Sequence, residues 1–126
     1  MENYQTAKQN AKKIYASIKI VWCPALHDSV VFNRIGFQHL IQKGPAFRPK
    51  SEQRRRFALL IYAKDILEQS DVAEEEDRAN AKLWIISGSR DNLDIKIIVR
   101  QIGNGKKHFL SIYGRKQKSA PKSADS

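Results

Sequence analysis

The sequence predicts an α+β fold, with N-terminal helices packed on an antiparallel sheet that ends in a three-stranded meander. Three observations predict it. Apolar residues recur at three- and four-residue steps in the N-terminal half, they alternate at two-residue steps beyond Lys82, and turn-forming residues separate those later runs. Helical periodicity followed by strand periodicity places helices on one face of a sheet and leaves the other face for a ligand.

The first element is an amphipathic helix. Tyr4, Ala7, Ala11, Ile14, Tyr15 and Ile18 form one stripe, while Lys8, Lys12 and Lys13 lie opposite. A short β-branched and aromatic strand, Ile20–Cys23, follows and stops at Pro24; Ser29–Asn33 is a second strand-like run. Arg34–Lys43 reads as a short helix ended by Gly44 and Pro45. Beyond the loop holding Pro45 and Pro49, Ser51 is the expected N-cap of a helix from Glu52 to about Gln69, whose wide stripe (Phe57, Leu60, Ala63, Ile66, Leu67) marks it as the central helix. Asp65 to Asp77 carries seven of the chain's 13 acidic residues and no basic one, so Asp71–Ala81 is expected to be a solvated loop or a frayed helical extension. The closing strands are expected at Lys82–Ser87, Asp94–Ile102 and Lys107–Tyr113, joined by turns at 88–92 and 103–105. The chain of 126 residues thus reads as one α+β domain over 1–114 with a disordered basic tail over 115–126.

Charge narrows the function. Twenty-three Lys and Arg against 13 Asp and Glu give a net +10. That excess is self-repelling in a compact chain and suits a polyanionic partner, RNA first. The single cysteine, Cys23, permits no intramolecular disulfide and reads as a small buried hydrophobe, compatible with a reducing cytoplasm. No apolar run is long enough to span a bilayer, so no membrane partner is expected, and the first ten residues lack the apolar core of a secretory signal. P-loop, HExxH and GxSxG motifs are lacking. The three scattered histidines have no ligand spacing, so neither a metal nor a cofactor is expected.

Alternation assigns the sheet faces. Ile95, Ile97 and Val99 are expected to point to the core with Leu110 and Ile112, which leaves Lys96, Arg100, Phe109, Ser111 and Tyr113 on the opposite face and His108 on the core side or at the strand end. Cations beside hydroxyls and rings suit a phosphodiester with an unstacked base. Arg34 to Arg56 adds seven basic residues, among them Arg34, Lys50, Arg54 and Arg55, against the one acid Glu52. Guanidinium groups hold phosphate bidentately. His39 lies nearly opposite the apolar stripe of Phe37, Leu40 and Ile41, so it is expected outside the core, where an imidazole can exchange protons with a 2′-hydroxyl or a leaving oxygen.

The run Val30-Val31-Phe32-Asn33-Arg34-Ile35-Gly36-Phe37-Gln38-His39-Leu40-Ile41 resembles the strand-then-helix R-x-G-x-x-H-[IL] element of phage-associated members of the barnase–EndoU–colicin–RelE superfamily of small RNases. The E-x-R-R-F helix after it and a meander closing on Phe109–Tyr113 are similar in order and spacing, so the likeness spans about Ser29 to Tyr113. It implies an RNase-like toxin domain that cleaves RNA without metal by 2′-hydroxyl attack. His39 would be the acid/base group, Arg34 and Arg100 phosphate clamps, and Ser111 with Tyr113 hydrogen-bond donors at the scissile group. A toxin of this kind would have an acidic immunity protein or antitoxin as partner. No sheet carboxylate is identifiable as a base. Two alternatives stand beside it: a nonenzymatic nucleic-acid-binding module on the same basic face, and a protein-interaction domain whose acidic 65–77 stretch docks a basic partner.

Overall fold

The computed structural model describes residues 3–117. Among them, three helices pack on a six-stranded mixed sheet, with a small two-stranded sheet alongside. The first helix, α1 (Tyr4–Ile18), starts where the Asn3 side chain accepts a hydrogen bond from the Thr6 amide at 2.8 Å. Ala7, Ala11 and Tyr15 are its buried residues, and it lies against the long helix α3 (Lys50–Gln69). Strands β1 (Ile20–Cys23) and β2 (Asp28–Val31) form an antiparallel hairpin, joined by a 3-10 turn over Pro24–Leu26 and by His27 in the left-handed region.

At Val31 the chain leaves the sheet. Asn33 caps α2 (Arg34–Ile41), and Gly36 decides how that helix sits: any Cβ there would overlap the carbonyl of Phe109 and the hydroxyl of Tyr15. Glycine lets the helix backbone lie directly against the last strand. The helix ends at Ile41, two residues before the expected stop. Gln42–Lys43 (β3) and Ala46–Phe47 (β4) instead form a hairpin around Gly44 and Pro45, so that pair makes a turn and not a helix terminus.

The long helix α3 starts at Lys50 behind Pro49, with no side-chain cap, so Ser51 lies inside the first turn and is not the N-cap. The buried Gln53 ties the helix start to its surroundings without capping it, donating from Nε2 to the carbonyl of Arg48 at 2.8 Å and accepting from the hydroxyl of Tyr4. From α3, Leu60, Ala63, Ile66 and Leu67 join the core formed with Ile86, Ile97 and Ile112 of three neighbouring strands.

Those strands belong to a meander of four, not three: β5 (Glu74–Arg78), β6 (Ala81–Arg90), β7 (Leu93–Ile102) and β8 (His108–Lys116). The acidic stretch expected as a loop supplies β5, an edge strand exposed along its whole length. Backbone pairing needs no apolar side chains, and Glu75 receives Lys82 at 3.0 Å and the Trp84 indole N–H at 3.2 Å across the ladder. The β6–β7 turn is only Asp91-Asn92, both left-handed, so the strands run further than expected. The strand order is β1-β2-β8-β7-β6-β5, with β2 and β8 parallel, which makes the sheet mixed and not purely antiparallel. Of the expected tail, Arg115 and Lys116 belong to β8, and 118–126 lie outside the described residues.

Candidate functional site

The sheet face left by the core side chains is organised by one irregularity. Along β7 and β8 the pairs Ile97–Ile112 and Ile98–Ser111 are followed by Val99–Phe109, so Leu110 is an extra residue in β8. A bulge of this kind inverts the alternation of everything beyond it. Phe109, expected on the open face beside Lys96, is therefore in the core, fully buried and stacked on Phe32 with ring centroids 4.8 Å apart. His108, expected on the core side or at the strand end, is the first residue of β8 and pairs with Arg100 on the other face. It is only 5% exposed, and its Nε2 accepts from the Nε–H of Arg100 at 3.1 Å. Burial, and then the charge of Arg100, hold its pKa below the usual histidine value, against a backbone hydrogen bond to Lys106 that raises it.

A second cation comes from α3. One Nη1 of Arg56 donates to the hydroxyl of Ser111 at 2.7 Å and to the carbonyl of Ile112 at 3.1 Å, ordering the part of β8 that β2 no longer borders. Its guanidinium also lies 6.0 Å from the ring centre of Tyr113. Arg48, Glu52 and Arg56 form a chain of ion pairs, with Glu52 Oε2 at 2.8 Å from Arg48 and 3.0 Å from Arg56. Burial alone would raise Glu52, but hydrogen bonds and charges from both arginines outweigh it and hold the carboxyl below its ordinary range. The Nε–H of Arg48 donates to the carbonyl of His39 at 3.0 Å, an acceptor left over in the last turn of α2.

His39, on α2, lies within electrostatic reach of this group. It is half-buried, and its pKa is held down first by burial and then by the charges of Arg100, Arg48 and Arg56. His39 and His108 also act on each other. Two imidazoles and three guanidiniums, from α2, α3, β7, β8 and the segment before α3, thus share one electrostatic environment.

Of the residues expected from sequence, His39, Arg100 and Ser111 belong to this set, and Tyr113 joins it through Arg56. Arg34 lines a cleft with His39. Arg55 borders a groove with Glu52, Arg56 and Tyr113, and Lys96 borders another with Tyr113 and Ser87. Lys50 lies over the Tyr4 ring at 4.9 Å, between α1 and α3, and Arg54 is exposed on α3. Sequence reasoning left out His108, Arg48, Glu52 and Arg56 as site residues. The four-residue spacing of Arg48, Glu52 and Arg56 was a readable signal, whereas His108 depended on the bulge.

Among the described residues no cluster of three or more His, Cys, Asp or Glu is placed to hold a metal ion, and no helix is long and apolar enough to cross a membrane. No protein-family model matches this chain, and comparison with curated proteins and with solved structures returns no significant match.

Proposed function

We propose that this chain is an endoribonuclease that cuts RNA without a metal, by attack of a ribose 2′-oxygen on the adjacent phosphate. The observation that supports it is the pair of imidazoles, His39 and His108, both biased toward the neutral form and set among Arg48, Arg56 and Arg100. The reaction forms a bond from the 2′-oxygen to phosphorus and breaks the bond from phosphorus to the 5′-oxygen. One proton must leave the 2′-hydroxyl and one must reach the 5′-oxygen. In this reading neutral His39 takes the first proton. Guanidiniums neutralise the charge that builds on the pentacoordinate phosphate. The incoming phosphate draws Arg100 from His108, whose freed Nε2 takes a proton from solvent and delivers it to the departing 5′-oxygen, and His39 then returns the proton it took to solvent.

A nonenzymatic RNA-binding module is the second reading, favoured by Arg100 already occupying the Nε2 lone pair of His108. Incubation with total RNA in EDTA separates the two. The nuclease yields fragments ending in 2′,3′-cyclic phosphate, and His39→Ala does not. Salt-sensitive binding with no product after long incubation would leave the binding module.

A further inference from the structure

The hairpin of β3 and β4, which follows α2 directly, presents an aromatic ring to solvent. Phe47 is 70% exposed, the most exposed of the aromatic residues described. It pairs directly with Gln42, so the two side chains share one face of the hairpin, about 5 Å apart at Cβ. A hairpin of two-residue strands is marginal alone. This one is fastened to α2 by Arg48, whose backbone amide donates to the carbonyl of Ile41 at 2.8 Å and whose Nε–H donates to that of His39. The hairpin backbone that carries the ring is therefore tied to the last turn of α2, which bears His39.

A cleft beside the hairpin is lined by Arg34, Ile35, Gln38, His39, Gln42 and Gly44; Phe47 is not among the lining residues and adjoins the cleft through Gln42, its cross-strand partner. Inside it the Gln38 amide donates to Gln42 Oε1. That bond fixes both amides and leaves an acceptor on Gln38 and a donor on Gln42 next to each other. A flat apolar face, an adjacent donor–acceptor pair and the cation Arg34 are what an extruded base and its phosphate require: a ring to stack on, an edge partner and a counter-charge.

We propose that this cleft receives one unpaired nucleobase of a single-stranded RNA, stacked on Phe47 and read along its edge by Gln38 and Gln42. Its position next to the scissile phosphate rests on the ribonuclease reading; the base-binding site itself does not. Duplex RNA, whose bases are stacked and paired, is excluded from it.

The test combines binding and cleavage. Binding is measured by fluorescence anisotropy with 2′-deoxy oligonucleotides, which cannot be cut; cleavage is measured with the same oligonucleotides carrying a single ribonucleotide flanked by each base in turn. Phe47→Ala is expected to weaken binding and raise KM about tenfold, Phe47→Trp to restore both, and Gln38→Ala with Gln42→Ala to flatten the preference among flanking bases. All are at the surface, and thermal unfolding checks that each variant is folded. Phe47 and Gln variants with wild-type binding and preference, while His39→Ala still abolishes cleavage, would overturn the base site and leave the ribonuclease. Binding that depends on Phe47 with no His39-dependent product would do the reverse. Neither binding nor cleavage by the wild type would overturn both.

Discussion

The Nε–H of Arg100 points at the Nε2 lone pair of His108 at 3.1 Å, a cation donating to an imidazole that must stay neutral to accept. While that bond is made, a basic side chain holds neutral a histidine two strand positions from a bulge. From that arrangement and the proximity of His39, several outcomes are expected.

His39→Ala and His108→Ala are each expected to lower kcat/KM by 10²–10⁴, the usual contribution of a positioned acid or base. Their effects in the double variant are expected to be less than multiplicative, since each proton transfer needs the other. Initial rates on a dinucleotide substrate in EDTA check this. A rate that survives loss of both imidazoles removes them from the chemistry.

The pH dependence of kcat/KM is expected to be a bell with its maximum below pH 6.5, because both histidines are held below that ordinary value and activity requires one neutral and one protonated. A maximum above neutrality would contradict the assignment.

Stability is expected to follow the same groups. Folded-state pKa values lie below the unfolded value, so as pH falls through about 6.5 the unfolded chain takes up protons first. The stability linked to the neutral imidazoles is therefore complete above that pH and declines as pH drops toward the folded values. Urea midpoints at pH 7.5 and pH 5 report it, and His39→Gln with His108→Gln is expected to shrink the difference.

Arg56→Ala leaves the Ser111 hydroxyl and the Ile112 carbonyl without their donor, and Glu52 with one cation in place of two. A loss of about 2 kcal/mol in chemical denaturation is expected, the range for hydrogen bonds to a partly buried charged group. Arg56→Lys recovers little of it, because a single ammonium cannot reproduce the fork that serves Glu52 and β8 together.

Gly36→Ala is expected to cost about 1–3 kcal/mol, since α2 must move off Phe109 and Tyr15 to admit a methyl group. Because His39 rides on that helix, activity at a temperature where the variant is fully folded is expected to fall as well. Unchanged activity in a destabilised variant would mean that the seat of α2 does not position the imidazole.

The extent to which these features were legible differs by element. The α1 boundaries, the α2 start at Arg34 and the α+β class followed from apolar spacing, because amphipathic periodicity reports which face meets a core. The strand β5 did not, since nothing in Glu74-Glu75-Glu76-Asp77 favours a strand apart from the free edge of β6 beside it. Nor did the faces of Phe109 and His108: strict alternation across β8 puts Phe109 on the open face and His108 on the core side, though His108 does lie at the strand end, and the extra residue at Leu110 is a property of pairing with β7 rather than of β8 alone. His39 and Arg100 stand out in the sequence as candidates because imidazole and guanidinium chemistry is visible in the residue names. Arg56 was passed over as one of three consecutive arginines, only one of which turns inward.

The acidic strand β5 sets a direction on the whole molecule. It lies three strands from β8, about 14 Å across the sheet, and gathers four of the chain's 13 acidic residues along one rim, two of them paired with Lys82 and Arg78. If the partner is the RNA proposed above, this rim would repel it and favour approach from the side of the arginines. Reversing the charge of Glu74, Glu75 and Glu76 would raise the total attraction yet slow productive encounter, as the molecule would lose the gradient that tells a ligand which side to approach.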